Sequence, residues 1–233
     1  WQPILRGVVL TRRPRKSAHA YRQVWTEEGS PLAAITARQG KALAGAFGPD
    51  VVVDHAMRYG RPAISEKIDA LKAAGCERIL IAPLYPQYCA ATTATANDEA
   101  FAQLRRMRWQ PAVRTLPPYH DDPLYIGALK EAIEETLAKL DFAPQAIVAS
   151  FHGMPERTLR LGDPYHCHCR KTARLLSYAL GRYLVVAFQS RFGRAKWLEP
   201  ATDRVLGELP RQGVTRIAVV APRFAAHCLG TLE

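Results

Sequence analysis

The apolar residues of this chain follow two rhythms. Short β-branched runs stand at Val51-Val52-Val53, Ile79-Leu80-Ile81-Ala82, Val113-Arg114-Thr115-Leu116, Ile147-Val148-Ala149, Leu184-Val185-Val186-Ala187 and Ile217-Ala218-Val219-Val220. Their starts lie roughly 30 residues apart, the length of one strand–crossover–strand unit. Between them the apolar positions step by three or four. Ile126, Leu129, Ile133, Leu137 and Leu140 make one such stripe, and Ile64, Ile68 and Leu71 another, with Gly75 following as a C-terminal cap. Ser30-Pro31 supplies a helix start, with Ser as N-cap and Pro in the first turn.

Continuous apolar strands alternating with amphipathic helices predict an α/β fold whose parallel sheets are covered on both faces. The loop Pro117-Pro118-Tyr119-His120-Asp121-Asp122-Pro123 falls between the third and fourth runs and is rich in Pro and Asp. It predicts two doubly wound lobes, residues 1–118 and 119–233, with a cleft between them. In such folds ligands sit outside the carboxyl ends of the strands. That edge collects Arg58-Tyr59-Gly60, Tyr85-Pro86-Gln87-Tyr88, Ser150-Phe151-His152-Gly153, Gln189-Ser190-Arg191-Phe192-Gly193 and Phe224-Ala225-Ala226-His227-Cys228.

Several chemistries have no signature here. No phosphate-cradling Gly-rich loop follows a strand, and there is neither a Gly-x-Ser-x-Gly nucleophile turn nor a His-Glu-x-x-His helix. What the edge does offer is flat aromatic faces at Tyr59, Tyr85, Tyr88, Phe192 and Trp197, guanidinium groups at Arg58 and Arg191, and an imidazole at His152. Such a set suits a flat, aromatic, carboxylate-bearing ligand.

Composition narrows the partners. Of 233 residues, 48% are hydrophobic and 23% charged, as expected of a globular domain that is soluble or held at a membrane surface. The net charge of +11 is concentrated in Arg12-Arg13-Pro14-Arg15-Lys16 and Arg105-Arg106-Met107-Arg108. No zinc-finger, helix-turn-helix or RNA-binding signature accompanies these runs, so no nucleic-acid partner is expected. Membrane lipid or an acidic small molecule fits the charge better. The five cysteines are too few and too scattered for a disulfide framework, which points to a reducing compartment.

The motifs at the sheet edge resemble those of bacterial ferrochelatases. Leu84-Tyr85-Pro86-Gln87-Tyr88, Ser150-Phe151-His152-Gly153-Met154-Pro155, Phe188-Gln189-Ser190-Arg191-Phe192-Gly193 with Trp197, and Phe224-Ala225-Ala226-His227-Cys228-Leu229 stand in that family's order. Gly29-Ser30-Pro31-Leu32 is similar to an earlier family motif. The resemblance implies two Rossmann-like lobes of the chelatase fold around a porphyrin cleft. It implies insertion of Fe²⁺ into protoporphyrin IX to form protohaem in haem biosynthesis, with no cofactor required and iron as a substrate. Such a protein is expected in the cytoplasm, in peripheral contact with the inner face of the membrane. The family's first strand and last helices are expected to lie outside this stretch of sequence.

Carried over by position, the resemblance makes His152 the catalytic histidine, as pyrrole proton acceptor or as iron ligand. Arg58, Tyr59, Tyr85, Tyr88, Gln189, Ser190, Arg191, Trp197 and Phe224 become substrate-binding candidates. The family pairs the histidine with a glutamate, but the aligned residue here is Gly230. A glycine supplies no charge, proton acceptor or ligand, so impaired activity is expected unless His227 or Glu233 substitutes. Two alternatives stay open on the residues: a porphyrin- or haem-binding homologue without turnover, and a chelatase for another tetrapyrrole or metal. Cys167-His168-Cys169 has metal-like density, but a [2Fe–2S] cluster requires about four ligands and is not expected.

Overall fold

The computed structural model describes residues 22, 25–191 and 193–223. Helix α1 (Pro31–Ala46) starts at the expected Ser30-Pro31, although the Ser30 hydroxyl makes no capping bond. Helix α2 (Ile64–Ala73) ends at Gly75, whose φ of +84° suits a residue without a Cβ. Its N–H donates to the Lys72 carbonyl at 3.0 Å. The run at 51–53 forms no strand and pairs with none among the described residues, and Val51 and Val52 are exposed. A β-branched run forms a strand only where a neighbour takes its backbone hydrogen bonds.

The remaining five runs form strands. Strands β1 (Arg78–Ile81) and β2 (Ala112–Thr115) pair in parallel, joined by a π-helical turn (Ala90–Ala94) and helix α3 (Thr95–Leu104). Helix α4 (Pro123–Leu137) follows the Pro- and Asp-rich loop, and Asp122 caps it by accepting from the N–H groups of Leu124 and Tyr125. The helix stops at Leu137, so Leu140, the last residue of the predicted stripe, lies beyond it. A second sheet contains β3 (Ala146–His152), β4 (Leu184–Gln189) and β5 (Ile217–Val220), all parallel, in the order β4-β3-β5. The mixed α/β architecture with parallel sheets is the one the alternation predicts. The described chain divides into two compact units, one centred on residues up to Leu71 and the other on Lys72–Ala225. Both sheets belong to the second unit.

The central strand β3 is buried along residues 147–151, which explains its continuous apolar sequence. Helix α5 (Glu156–Arg160) is short, and helix α6 (Tyr165–Leu180) then crosses from β3 to β4. It buries Tyr165, Cys169, Thr172, Ala173 and Leu176, a stripe at helical spacing. These pack with Phe151, Ile147, Leu184 and Phe188 of the sheet in one core. Helix α7 (Thr202–Glu208) covers the other side through Val205, against Val148 and Ala187.

Inside this unit a buried polar chain joins three loops. Gln87 Nε2 donates to Thr172 Oγ1 at 3.0 Å, and the Thr172 hydroxyl donates to the His120 carbonyl at 2.7 Å. Gln87 Nε2 also reaches the Pro222 carbonyl at 3.4 Å, and Tyr125 donates its hydroxyl to that same oxygen. Gln87 and Thr172 are fully buried, so each lost partner would go uncompensated. Thr172→Val should therefore cost about 2 kcal/mol of stability, because the isosteric methyl leaves an amide N–H and a carbonyl without their partner. Denaturant unfolding of the two proteins measures this.

Candidate active site

The site grows from strand register. His152 and Gln189 are the last residues of β3 and β4 and stand side by side in the parallel ladder. Beyond them the chains stay together, because Gly153 N–H donates to the Gln189 carbonyl at 2.7 Å. A Cβ at Gly153 would lie 2.7 Å from that oxygen and 3.2 Å from Trp197 Cε3. No side chain fits there, which accounts for glycine directly after the histidine.

Neighbouring groups fix the geometry of this edge. Ser150 Oγ donates to Gln189 Oε1 at 2.8 Å and lies 2.8 Å from Thr202 Oγ1, which sets the orientation of the Gln189 amide. Tyr165, almost wholly buried, donates its hydroxyl to the His152 carbonyl at 2.8 Å. Trp197 is also buried; its backbone bridges to Pro155 in antiparallel fashion, and Leu198 N–H donates to the Met154 carbonyl. Ser190 has φ of +64°, the left-handed region that a residue with a Cβ rarely adopts, and marks the sharp turn out of β4. Arg191 leaves the edge toward solvent and pairs with Asp203 at 2.8 Å.

The second unit therefore brings His152, Gln189, Ser190 and Trp197 to the carboxyl edge of one sheet. Tyr85 and Tyr88, both half-buried, belong to the loop after β1, where Tyr88 N–H donates to His168 Nδ1 at 3.2 Å. In the first unit the Arg58 guanidinium stands over the exposed Tyr59 ring, 4.6 Å from its centroid. Phe224, His227, Gly230 and Glu233 lie outside the described residues. Of the dense cysteine stretch, Cys169 is buried in the core while Cys167 is exposed, since residues two apart on a helix face different ways. Both are free thiols, as is buried Cys89, and burial pushes the Cys169 thiol up to about 12.

Arg223 is the residue that motif reading passed over. It is 6% exposed and places its guanidinium over the Tyr165 ring, 4.9 Å from the centroid. Its only sequence signal is a lone arginine between the fifth strand and the Phe224 motif. The His152 imidazole is pushed down to about 4, first by burial and then by the Arg223 charge. It is thus a neutral base at physiological pH.

The ferrochelatase family model matches residues 1–233, the whole chain. The chain belongs to the ferrochelatase family. It is 53% identical to a ferrochelatase of Agrobacterium fabrum and 55% identical to one of Rhizobium meliloti. Each comparison covers 100% of this chain, and 70% and 71% of those relatives respectively. A ferrochelatase of Azoarcus is 51% identical, with 65% of its length covered. Family membership makes the chain a metal-chelatase lyase with protoporphyrin and ferrous iron as substrates. Among the described residues no helix is long and apolar enough to cross a membrane.

Two outcomes follow from the geometry. Gly153→Ala should destabilise the protein by at least about 2 kcal/mol, because the Gln189 backbone on one side of the new methyl and the buried Trp197 ring on the other must move. Thermal unfolding checks it, with Gly127→Ala as the control, since a Cβ at Gly127 meets nothing within 4 Å. Acid should also weaken the fold. His152 and His120 are both held near 4, burial being the first cause in each case, whereas in the unfolded chain they titrate near 6.5. The unfolded chain binds these protons first, so stability is full above about pH 6.5 and falls as pH drops toward 4. Melting temperatures across that window should decline, and His120→Gln should flatten the decline.

Proposed function

We propose that this chain is a ferrochelatase that inserts Fe²⁺ into protoporphyrin IX, with His152 as its reacting imidazole. The observation that carries the residue assignment is a half-buried imidazole, its basicity lowered by desolvation, at the carboxyl end of the central strand, inside the family's Ser-Phe-His-Gly motif. Metallation releases two pyrrole protons as iron enters the ring. A neutral imidazole accepts such a proton, and low surrounding polarity favours its leaving again to solvent. Gln189, Ser190 and Trp197 shape the edge beside it. Tyr85, Tyr88 and Phe224 offer ring faces to the macrocycle. Arg58 with Tyr59, and Arg191, are assigned to the propionates. The two-lobe reading keeps its joint in the 117–123 loop, which separates the β1–β2 pair from the three-stranded sheet, while both sheets lie in the one compact unit Lys72–Ala225. The basic run at residues 12–16, outside the described residues, is assigned to anionic lipid. Salt-sensitive co-sedimentation with anionic vesicles tests it.

Gly230 bears on rate. We assign it the loss of one carboxylate from the family site, so turnover should be slow in the natural sequence. Anaerobic Fe²⁺ insertion, followed by loss of porphyrin fluorescence, reads both points. His152→Ala should abolish insertion, by a factor of about 100 or more if the imidazole is the base. Gly230→Glu should raise it. Insertion that survives His152→Ala would remove His152 from the chemistry, and an unchanged rate in Gly230→Glu would remove the glycine from the explanation.

A further inference from the structure

Helix α6 does more than cross from β3 to β4, because its first turns grip two loops of the carboxyl edge. His168 and Thr172 stand one turn apart on the same side of it. The Thr172 hydroxyl donates to the His120 carbonyl at 2.7 Å and accepts from Gln87 Nε2 at 3.0 Å. His168 Nδ1 accepts from the Tyr88 N–H at 3.2 Å, and Asp163, just before the helix, accepts from the Ala90 N–H at 2.8 Å. The loop after β1 is therefore fastened at Gln87, Tyr88 and Ala90. With Gln87 held by its side chain and Ala90 by its backbone, the bond to His168 fixes the peptide plane between Gln87 and Tyr88, and so the point from which the Tyr88 ring projects.

The imidazole that makes this bond is itself held. The His120 ring stacks on it at 3.6 Å between centroids, with the two planes 9° apart. A nitrogen that accepts carries no hydrogen, so His168 is the tautomer protonated at Nε2. The nearby charges are engaged elsewhere: Asp121 pairs with Lys171, and the second oxygen of Asp163 accepts from the Tyr165 N–H at 3.0 Å. Burial lowers the proton affinity of the ring, against the pull of Asp121 and Asp163 and with the repulsion of Lys171, which keeps the Nδ1 lone pair available at neutral pH.

We propose that His168 is a positioning residue for the macrocycle: its Nδ1 lone pair sets the Tyr88 backbone, so that the loop after β1 presents Tyr85 and Tyr88 as a preformed face for the flat ligand. A loop ordered before binding spares the ligand the cost of ordering it. The position requires an acceptor, since an apolar side chain there would leave the Tyr88 N–H without its partner. This gives the histidine of the Cys167-His168-Cys169 stretch a role that needs no metal.

The inference rests on the assignment of Tyr85 and Tyr88 to the porphyrin, and its test separates the latch from that assignment. In the ¹⁵N-labelled natural chain at pH 7.5 the His168 ring should carry its hydrogen on Nε2; a ring protonated at Nδ1 would overturn the proposal even if no variant folds. Two variants are then compared with the natural chain by amide hydrogen exchange and by fluorescence titration with protoporphyrin IX. His168→Phe can still stack on His120 but has no acceptor, whereas His168→Asn offers a carbonyl oxygen close to the place of Nδ1. His168→Phe should exchange the Tyr88 amide about tenfold faster, with the β3–β4 ladder unchanged, and bind protoporphyrin about fivefold to tenfold more weakly. His168→Asn should restore both. A merely structural histidine would show no such rescue. Asn as weak as Phe, or Phe binding as tightly as the natural chain, would contradict the proposal. Failure of all three proteins to bind protoporphyrin would overturn the functional reading instead, and the ring tautomer and the Tyr88 exchange would still decide the latch.

Discussion

The parallel ladder between β3 and β4 carries the rest of this structure. It runs in register from Ile147 beside Leu184 to His152 beside Gln189 and ends where both chains leave the sheet. Extending it by the single bond from Gly153 N–H to the Gln189 carbonyl forces the next step to be glycine and brings Trp197 against it. A slip of one residue would turn the imidazole to the opposite face and break the Ser150–Gln189 bond. Packing enforces the register from both sides, through Cys169, Ala173 and Leu176 of α6 on one face and Val205 of α7 on the other.

Burial at this edge has an electrostatic consequence. Taking an imidazole out of water disfavours its charged form, and a neighbouring guanidinium adds to that. The imidazole is therefore kept unprotonated by the same packing that sets the register. The cost is acid sensitivity, shared by His120, whose ring stacks on that of His168 at 3.6 Å between centroids. Two imidazoles so close resist carrying charge together, and His168 also weighs on the His120 equilibrium after burial does.

Strand and helix rhythm made five of the six predicted strands and the main helices legible, because each buries a face whose period survives in the sequence. The run at 51–53 was apolar enough to suggest a strand, but periodicity cannot supply a pairing partner. Leu140 matched the stripe of α4 by spacing alone, while the helix ended one turn earlier. At the sheet edge, the ordered motifs pointed to His152, Gln189 and Trp197, and the structure brings these three segments together, with Trp197 packed beside Gly153. Arg223 and Tyr165 escaped notice, since one is a single charge outside any motif and the other reads as one more apolar position of α6. Their importance comes from contacts between segments 58 residues apart, and no local pattern encodes those.

The central claim is that His152 is a neutral imidazole held at the end of β3. Its direct test is the charge state of that ring, read from the imidazole ¹⁵N chemical shifts of labelled protein between pH 7.5 and 5.5, with His152→Ala providing the assignment. The structure predicts one unprotonated and one protonated ring nitrogen throughout, with no titration in that range. A ring that gains its second proton near 6.5, the ordinary value for an exposed histidine, would contradict the account.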